Sequence, residues 1–368
     1  MNRSSLTPAA RTGAALQCVA AMMAIGLLAT GVGCQRHVPV QFVSSDQVTQ
    51  LEPELQESIR VELAKFCGTP TNPKLLGGTE AEQDLLPLGQ QVYQQRCQAC
   101  HGTSGDGVGP AAEFLTPRPR DYRRGIFKFT STTYGSKPRR EDLIRTLQRG
   151  IPGTSMPSFA RLPKRELEAV VDYVLALTHR GELEQLLAAH ASDEGELDEE
   201  TAEQLANIVA RRWKDAERDV VEPETKMPPM SAESIARGAE IFQKRECFKC
   251  HGRNGRGGLA GGIEVGLDSW GQKTAAADLT SGMLHGGQRP VDVYRRVYTG
   301  INGTPMPGFK DAFAEQPDDV WHLTHYILDL ADQRRRGVRF EPVTDRAPDT
   351  VEGEPASDSP SSAAEKSS

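Results

Sequence analysis

The sequence predicts an all-α protein built from two related helical modules, joined by an acidic, partly helical connector. Three observations predict it. Apolar residues recur at helical spacing in both halves, no pair of alternating strand-like segments is present, and the chain repeats itself with a period of 150 residues. The 368 residues are enough for two domains with separate cores. With 35 Gly, 24 Pro and 6% aromatics, small loop-rich domains fit better than one large sheet.

The chain opens with an export segment, residues 1–33. Arg3 and Arg11 precede an apolar stretch from Ala14 to Val32, interrupted only by Gln17 and Cys18, that ends in Ala29-Thr30-Gly31-Val32-Gly33-Cys34. Small residues before a cysteine resemble a bacterial lipoprotein signal, with Cys34 as the lipidated new N-terminus, although Gly31 stands where such signals carry Leu. An uncleaved membrane helix and plain secretion are the other readings, since the 19 residues are just long enough to span. All three place the mature protein in the cell envelope, on the periplasmic side. An N-terminal extension follows, residues 34–84, with an amphipathic stretch at 55–66 and a lone Cys67. That thiol is expected to be buried or idle rather than paired with a partner.

Each module should start with a helix: Leu88, Val92 and Gln95 mark one, and Ile235, Ala239 and Phe242 the other. Both run into the same signature, Cys97-Gln-Ala-Cys100-His101 and Cys247-Phe-Lys-Cys250-His251. C-x-x-C-H is the attachment pattern of c-type haem. Two thiols three apart on one turn can both reach the vinyl groups on one side of a porphyrin, and the next His offers its Nε2 to iron. Zinc is the weaker reading, because zinc ligand pairs sit roughly 15–20 residues apart in sequence and these pairs are far more distant. A thioredoxin-like pair would need a preceding strand, and structural disulfides would leave the repeated His unexplained.

Glycine-rich loops follow, 102–109 and 252–262, then short middle helices carrying Leu143, Ile144 and Leu147, or Val293, Tyr294 and Val297. Beyond them Gly150-Ile-Pro-Gly-Thr-Ser-Met156-Pro157 repeats as Gly300-Ile-Asn-Gly-Thr-Pro-Met306-Pro307. Met156 lies 59 positions after Cys97, and Met306 lies 59 after Cys247. Between them the copies slip and recover, since 121–125 match 278–282 at an offset of 157. A Met in a loop usually fills an apolar gap. Its recurrence at a fixed distance from each motif favours a thioether ligand, which binds ferrous haem well and raises its potential. Met227, Met230 and Met283 have no such repeat, and His179, His190, His285, His322 and His325 read as surface or core residues. A closing helix ends each module: Leu167, Val170, Val171, Val174 and Leu175 form one apolar stripe, and Val320, Leu323, Thr324, Ile327 and Leu328 the other.

Both halves resemble the bacterial class I cytochrome c domain, over residues 85–180 and 231–335. The resemblance implies two covalent haem c groups. Cys97, Cys100, Cys247 and Cys250 would hold them, with His101 and Met156 on one iron and His251 and Met306 on the other. It also implies that the carbonyl of a Pro nine residues after the haem His orients that imidazole. Pro110 stands there in the first copy and Ala260 in the second.

The connector, 181–230, is acidic, with 14 Asp and Glu against 5 Lys and Arg over 181–229, and looks helical over 183–190 and 201–218. The first module is basic, with 15 Lys and Arg against 8 Asp and Glu, an asymmetry able to steer charged redox partner proteins. The formal charge of −7 argues against a nucleic-acid partner. The tail, 336–368, is rich in Ser, Pro and acidic residues and is expected to be disordered. The expected function is electron transfer rather than catalysis, as a respiratory-chain component or shuttle. A dihaem peroxidase or thiol oxidoreductase is the alternative, and it would need an open or displaceable iron site.

Overall fold

A computed structural model describes residues 41–257 and 264–338. The export segment, Cys34, Ala260 and the tail beyond 338 lie outside the described residues. The described chain from Phe42 onward belongs to one compact unit.

Two short helices come first, α1 (Asp46–Thr49) and α2 (Pro53–Cys67), then a tight ribbon of β1 (Gly68–Thr69) and β2 (Asn72–Pro73). The first module comprises α3 (Glu80–Arg96), α4 (Gln98–His101), α5 (Arg140–Arg149) and α6 (Lys164–Glu194). Next come α7 (Glu199–Ala216), α8 (Ala232–Lys244) and α9 (Phe248–His251). A hairpin of β3 (Glu264–Leu267) and β4 (Lys273–Ala275) precedes α10 (Pro290–Thr299) and α11 (Asp318–Gln333). The protein is all-α, two related helical modules with strand, among the described residues, confined to these ribbons.

Helix starts follow from capping. Thr79 and Glu82 form a capping box on α3, Ser231 Oγ accepts Ser234 N–H on α8, and Pro290 opens α10 where no backbone donor is needed. In each module the first and last helices cross at a glycine. A Cβ on Gly89 would sit 2.0 Å from the Ala169 carbonyl oxygen, and one on Gly238 would sit 2.1 Å from that of His322. The crossing brings the buried Tyr93 and Phe242 under their motifs.

This pairs Gly89 with Gly238, whereas alignment on the cysteines pairs Gly89 with Ala239. The spare residue is absorbed just before Cys247. Cys97 N–H donates to Tyr93 O four residues back, but Cys247 N–H reaches Phe242 O five back. Glu246 takes up the slack at φ +58°, the one positive-φ residue other than glycine among the described residues.

The first module is larger than its periodicity suggested. Helix α6 runs 31 residues without a break, so residues 181–194 continue the closing helix instead of leaving it. One apolar cluster joins Ile59, Leu63 and Cys67 of α2, Leu183 and Leu187 of α6, and Val209 and Trp213 of α7. Two connector carboxylates turn inward: Glu182 binds Lys137 and the Trp213 indole, and Glu184 binds Arg180 at 2.9 Å, while the exposed Glu217 binds Arg139 at 3.5 Å. Part of the expected charge asymmetry is therefore neutralised inside the molecule. The second module has its own core around Phe242, Tyr294, Phe313 and Val320.

The two seven-residue slips in the repeat, offset 157 against 150, both lie between the modules. The first module's extra loop reaches across at Gly135, whose N–H donates to Asn302 Oδ1 at 3.0 Å. The second module's extra residues form the β3–β4 hairpin, whose Trp270 Nε1–H donates to Asp121 O at 2.7 Å. Arg296 of α10 is half-buried against the first module and donates to the carbonyls of Lys128 and Thr130.

Candidate functional site

In each module one turn carries the chemistry. Cys97 ends α3 and starts α4, and His101 N–H closes the turn on Cys97 O at 2.9 Å; His251 N–H does the same on Cys247 O at 3.0 Å. Both cysteines of each pair are therefore on one helical turn next to the His, and all four are free thiols. Burial pushes the Cys97 thiol up to about 12 and Cys247 to about 11. A redox-active pair needs the opposite, a thiolate stabilised by nearby positive charge.

Burial also lowers the pKa of His101 to about 4 and lowers that of His251. Both are neutral imidazoles at neutral pH, the form that ligates a metal.

The orienting carbonyl is not where the resemblance puts it. His251 Nδ1 bonds Ala277 O at 3.1 Å, and the backbone group that meets His101 is the carbonyl of Arg120, the residue that matches Ala277 at the offset of 157. Pro110 does not take the role. The carbonyl arrives from a later segment because Gly107 and Gly257 have no side chain. A Cβ there would lie 2.7 Å from Pro119 O or 2.5 Å from Ala277 O. His101 Nδ1 nonetheless remains buried without a partner in full hydrogen-bond geometry.

The methionine loops match bond for bond. Ile151 N–H donates to Met156 O at 3.0 Å and Ile301 N–H to Met306 O at 3.2 Å. The Met N–H groups donate to Thr154 Oγ1 at 3.1 Å and Thr304 Oγ1 at 3.3 Å. Each loop is entered through a glycine at positive φ, Gly150 at +70° and Gly300 at +76°. A Cβ on either would lie 2.6 Å from the carbonyl carbon of the following Pro157 or Pro307. Met156 and Met306 are half-buried, while Met227, Met230 and Met283 are exposed.

Among the spare histidines, His179 is buried against Trp213, and His322 and His325 share the Ser234 hydroxyl. His285 sits beside the first Met loop, where a Cβ on Gly153 would approach its Nε2 to 3.3 Å.

The surroundings of the two motifs differ. Tyr122 O–H donates to Tyr93 Oη at 2.7 Å, and Tyr93 O–H to Gly102 O at 2.7 Å, with the Tyr122 ring 5.2 Å from His101. Phe242 and Leu279 occupy the matching positions in the second module, which is apolar there. Sequence reasoning passed over this buried pair, although the offset of 157 places Tyr122 against Leu279.

Free paired thiols, a neutral imidazole beside them, and a thioether on a loop held by its own hydrogen bonds fit a covalently held haem c. No cluster of three or more His, Cys, Asp or Glu able to hold a bare metal ion occurs among the described residues.

Comparisons with known proteins agree. Residues 87–178 and 235–331 match the cytochrome c family. No curated protein sequence matches. A solved structure described as the Kuenenia stuttgartiensis reducing HAO-like protein complex Kustc0457/Kustc0458 contains a similar chain: 29% identity, TM-score 0.52, covering 70% of this chain and 99% of that one. The family match takes in just over half of the residues and falls on both helical modules. The chain therefore belongs to the cytochrome c family, in which covalently bound haem c serves electron transfer.

Proposed function

We propose that this protein carries electrons through two covalently bound haem c groups in the cell envelope. Cys97 and Cys100 would hold one haem and Cys247 and Cys250 the other. His101 with Met156, and His251 with Met306, would be the axial ligands. The haem supplies one-electron chemistry at iron; the chain supplies attachment, axial ligation and burial. His101 and His251 arrive neutral, and the Met loops keep their thioethers in place through backbone bonds to Thr154 and Thr304.

The observation that carries this reading is the duplication of the Met loop, glycine entry and hydrogen bonds included, at the same distance from each C-x-x-C-H motif. A Met in each loop leaves no ligand position open for an oxidant, which favours transfer over a peroxidase or thiol oxidoreductase. The similar chain belongs to a complex described as HAO-like. That supports a role in which the protein exchanges electrons with a partner enzyme inside an assembly. The redox partners are proteins, with no nucleic acid, and the membrane is reached through lipid on Cys34 or an N-terminal helix.

Absorption and mass spectrometry of mature protein, made with an active haem-ligation system, test the proposal. Two haem masses and a near-infrared sulfur-to-iron band from both ferric irons are expected. A high-spin ferric signal from one haem would favour the enzyme reading, and a bare polypeptide mass would end the proposal.

A further inference from the structure

The two modules meet so that a single hairpin of the second lies against the first module's His101 segment and against the second module's own Met306 loop. The turn of the hairpin contains Asp268, Trp270 and Gln272. Asp268 has a fully buried side chain and pairs with Arg120 at 2.9 Å and Lys128 at 3.5 Å. Gln272 Oε1 accepts from Arg120 Nη1 at 2.6 Å. The Trp270 ring has the Arg120 guanidinium 5.2 Å from its centre, and its N–H is given to Asp121 O. Both the residue whose carbonyl meets His101 and the residue after it are thus held from the other module.

The hairpin is also tied to the second module's distal loop. Ser269 N–H donates to Gly303 O at 3.0 Å, and a Cβ on Gly303 would lie 2.8 Å from the Trp270 ring. Gly303 is three residues before Met306. The matching carbonyl in the second module is that of Ala277, whose methyl side chain offers nothing to grip, and it already bonds its His.

We propose that Trp270 is a positioning residue through which the second module sets how closely the Arg120 carbonyl approaches the imidazole of the first. It holds the Arg120–Asp121 segment so that the Arg120 carbonyl stays directed at His101. A carbonyl accepting from the free nitrogen of a ligating imidazole makes that ligand more basic and favours the ferric state. Loosening the segment weakens this contact at His101 and leaves that at His251 intact. The inference rests on the His/Met ligation proposed above and adds a one-way dependence between two otherwise similar modules.

The test is a spectroelectrochemical titration of the full-length holoprotein, comparing wild type with Trp270→Phe and Gln272→Ala. The first variant keeps an aromatic ring and removes the indole donor. The second removes the neutral half of the Arg120 clamp without changing charge. A Met306→Leu background identifies the second module's wave by displacing it. The first module's wave should rise in both variants. Its ferric-to-ferrous ratio at fixed ambient potential should change several-fold, where tenfold corresponds to about 59 mV. The other wave and the near-infrared band should stay in place. Unmoved waves in both folded variants, or equal shifts of both waves, would overturn the inference. Absence of the near-infrared band already in wild type would instead refute the ligation on which it rests.

Discussion

Substituting Gly150 by Ala tests the Met loop most directly. At φ +70° and ψ −167° the backbone lies in a region essentially restricted to glycine, which costs an L-residue about 1–3 kcal/mol. The added Cβ would also lie 2.6 Å from Pro157 C, 2.7 Å from Ser158 N and 2.8 Å from Met156 O. All three are backbone atoms and cannot rotate aside, so the Met-Pro segment has to move. Overpacking of this kind costs roughly 1–3 kcal/mol, for a total of about 2–6 kcal/mol. A loop displaced by that strain no longer holds the thioether in place. Gly150→Ala should remove about half of the near-infrared intensity and Gly300→Ala the other half. Melting should fall by on the order of 10 °C. Gly195→Ala is the control without overpacking, because Gly195 has the milder left-handed conformation, φ +76° and ψ 4°, and a Cβ there meets nothing within 4 Å. That variant should lose about 1 kcal/mol and keep the whole band. Full band intensity and wild-type melting in Gly150→Ala would refute the assignment of this glycine as the entry to a ligand loop.

Other expectations follow from single groups. Glu246→Gly should be neutral or stabilising in thermal melts, because the helix-to-motif slack is taken up at its positive φ, whereas β-branched Glu246→Val should destabilise by about 1–2 kcal/mol. His179 is buried, with its pKa lowered to about 4, first by burial; its bond to Leu76 O at 3.0 Å opposes the shift. The unfolded chain binds a proton there more readily, so stability falls as pH drops from about 6.5 towards 4. His179→Gln should flatten that part of a pH–denaturation curve. Burial pushes the Cys67 thiol up to about 12, so alkylation followed by mass spectrometry should find it unreactive at pH 8 until the first module unfolds. Asp268→Ala leaves Arg120 and Lys128 without their shared buried carboxylate and should cost about 3–5 kcal/mol, splitting one melting transition into two.

Much of the site was legible in the chain because its chemistry is local. Cys97, Cys100 and His101 lie on one turn, so their spacing alone decides whether they can act together, and the same holds for the second motif. The Met loops were legible for another reason: duplication supplied an internal control that a lone Met lacks. The closing-helix stripes read correctly as far as Leu175, but the same helix continues through Leu183 and Leu187. Acidic residues there read as a solvated connector because charge patterning does not reveal which carboxylates have buried partners. The β3–β4 hairpin escaped because strands of four and three residues are too short to alternate visibly.

The order of residues is enough to define two helical modules, the thiol, imidazole and thioether groups each brings, and membership in a family that binds haem c. Which carbonyl meets each imidazole was settled in three dimensions, since Arg120 and Ala277 come from later segments that approach through space at Gly107 and Gly257. The tertiary structure also decided that the compensating insertions, which read as loop drift, are where the modules touch. Contacts across an interface depend on how two folded surfaces dock, and no periodicity within either segment encodes that.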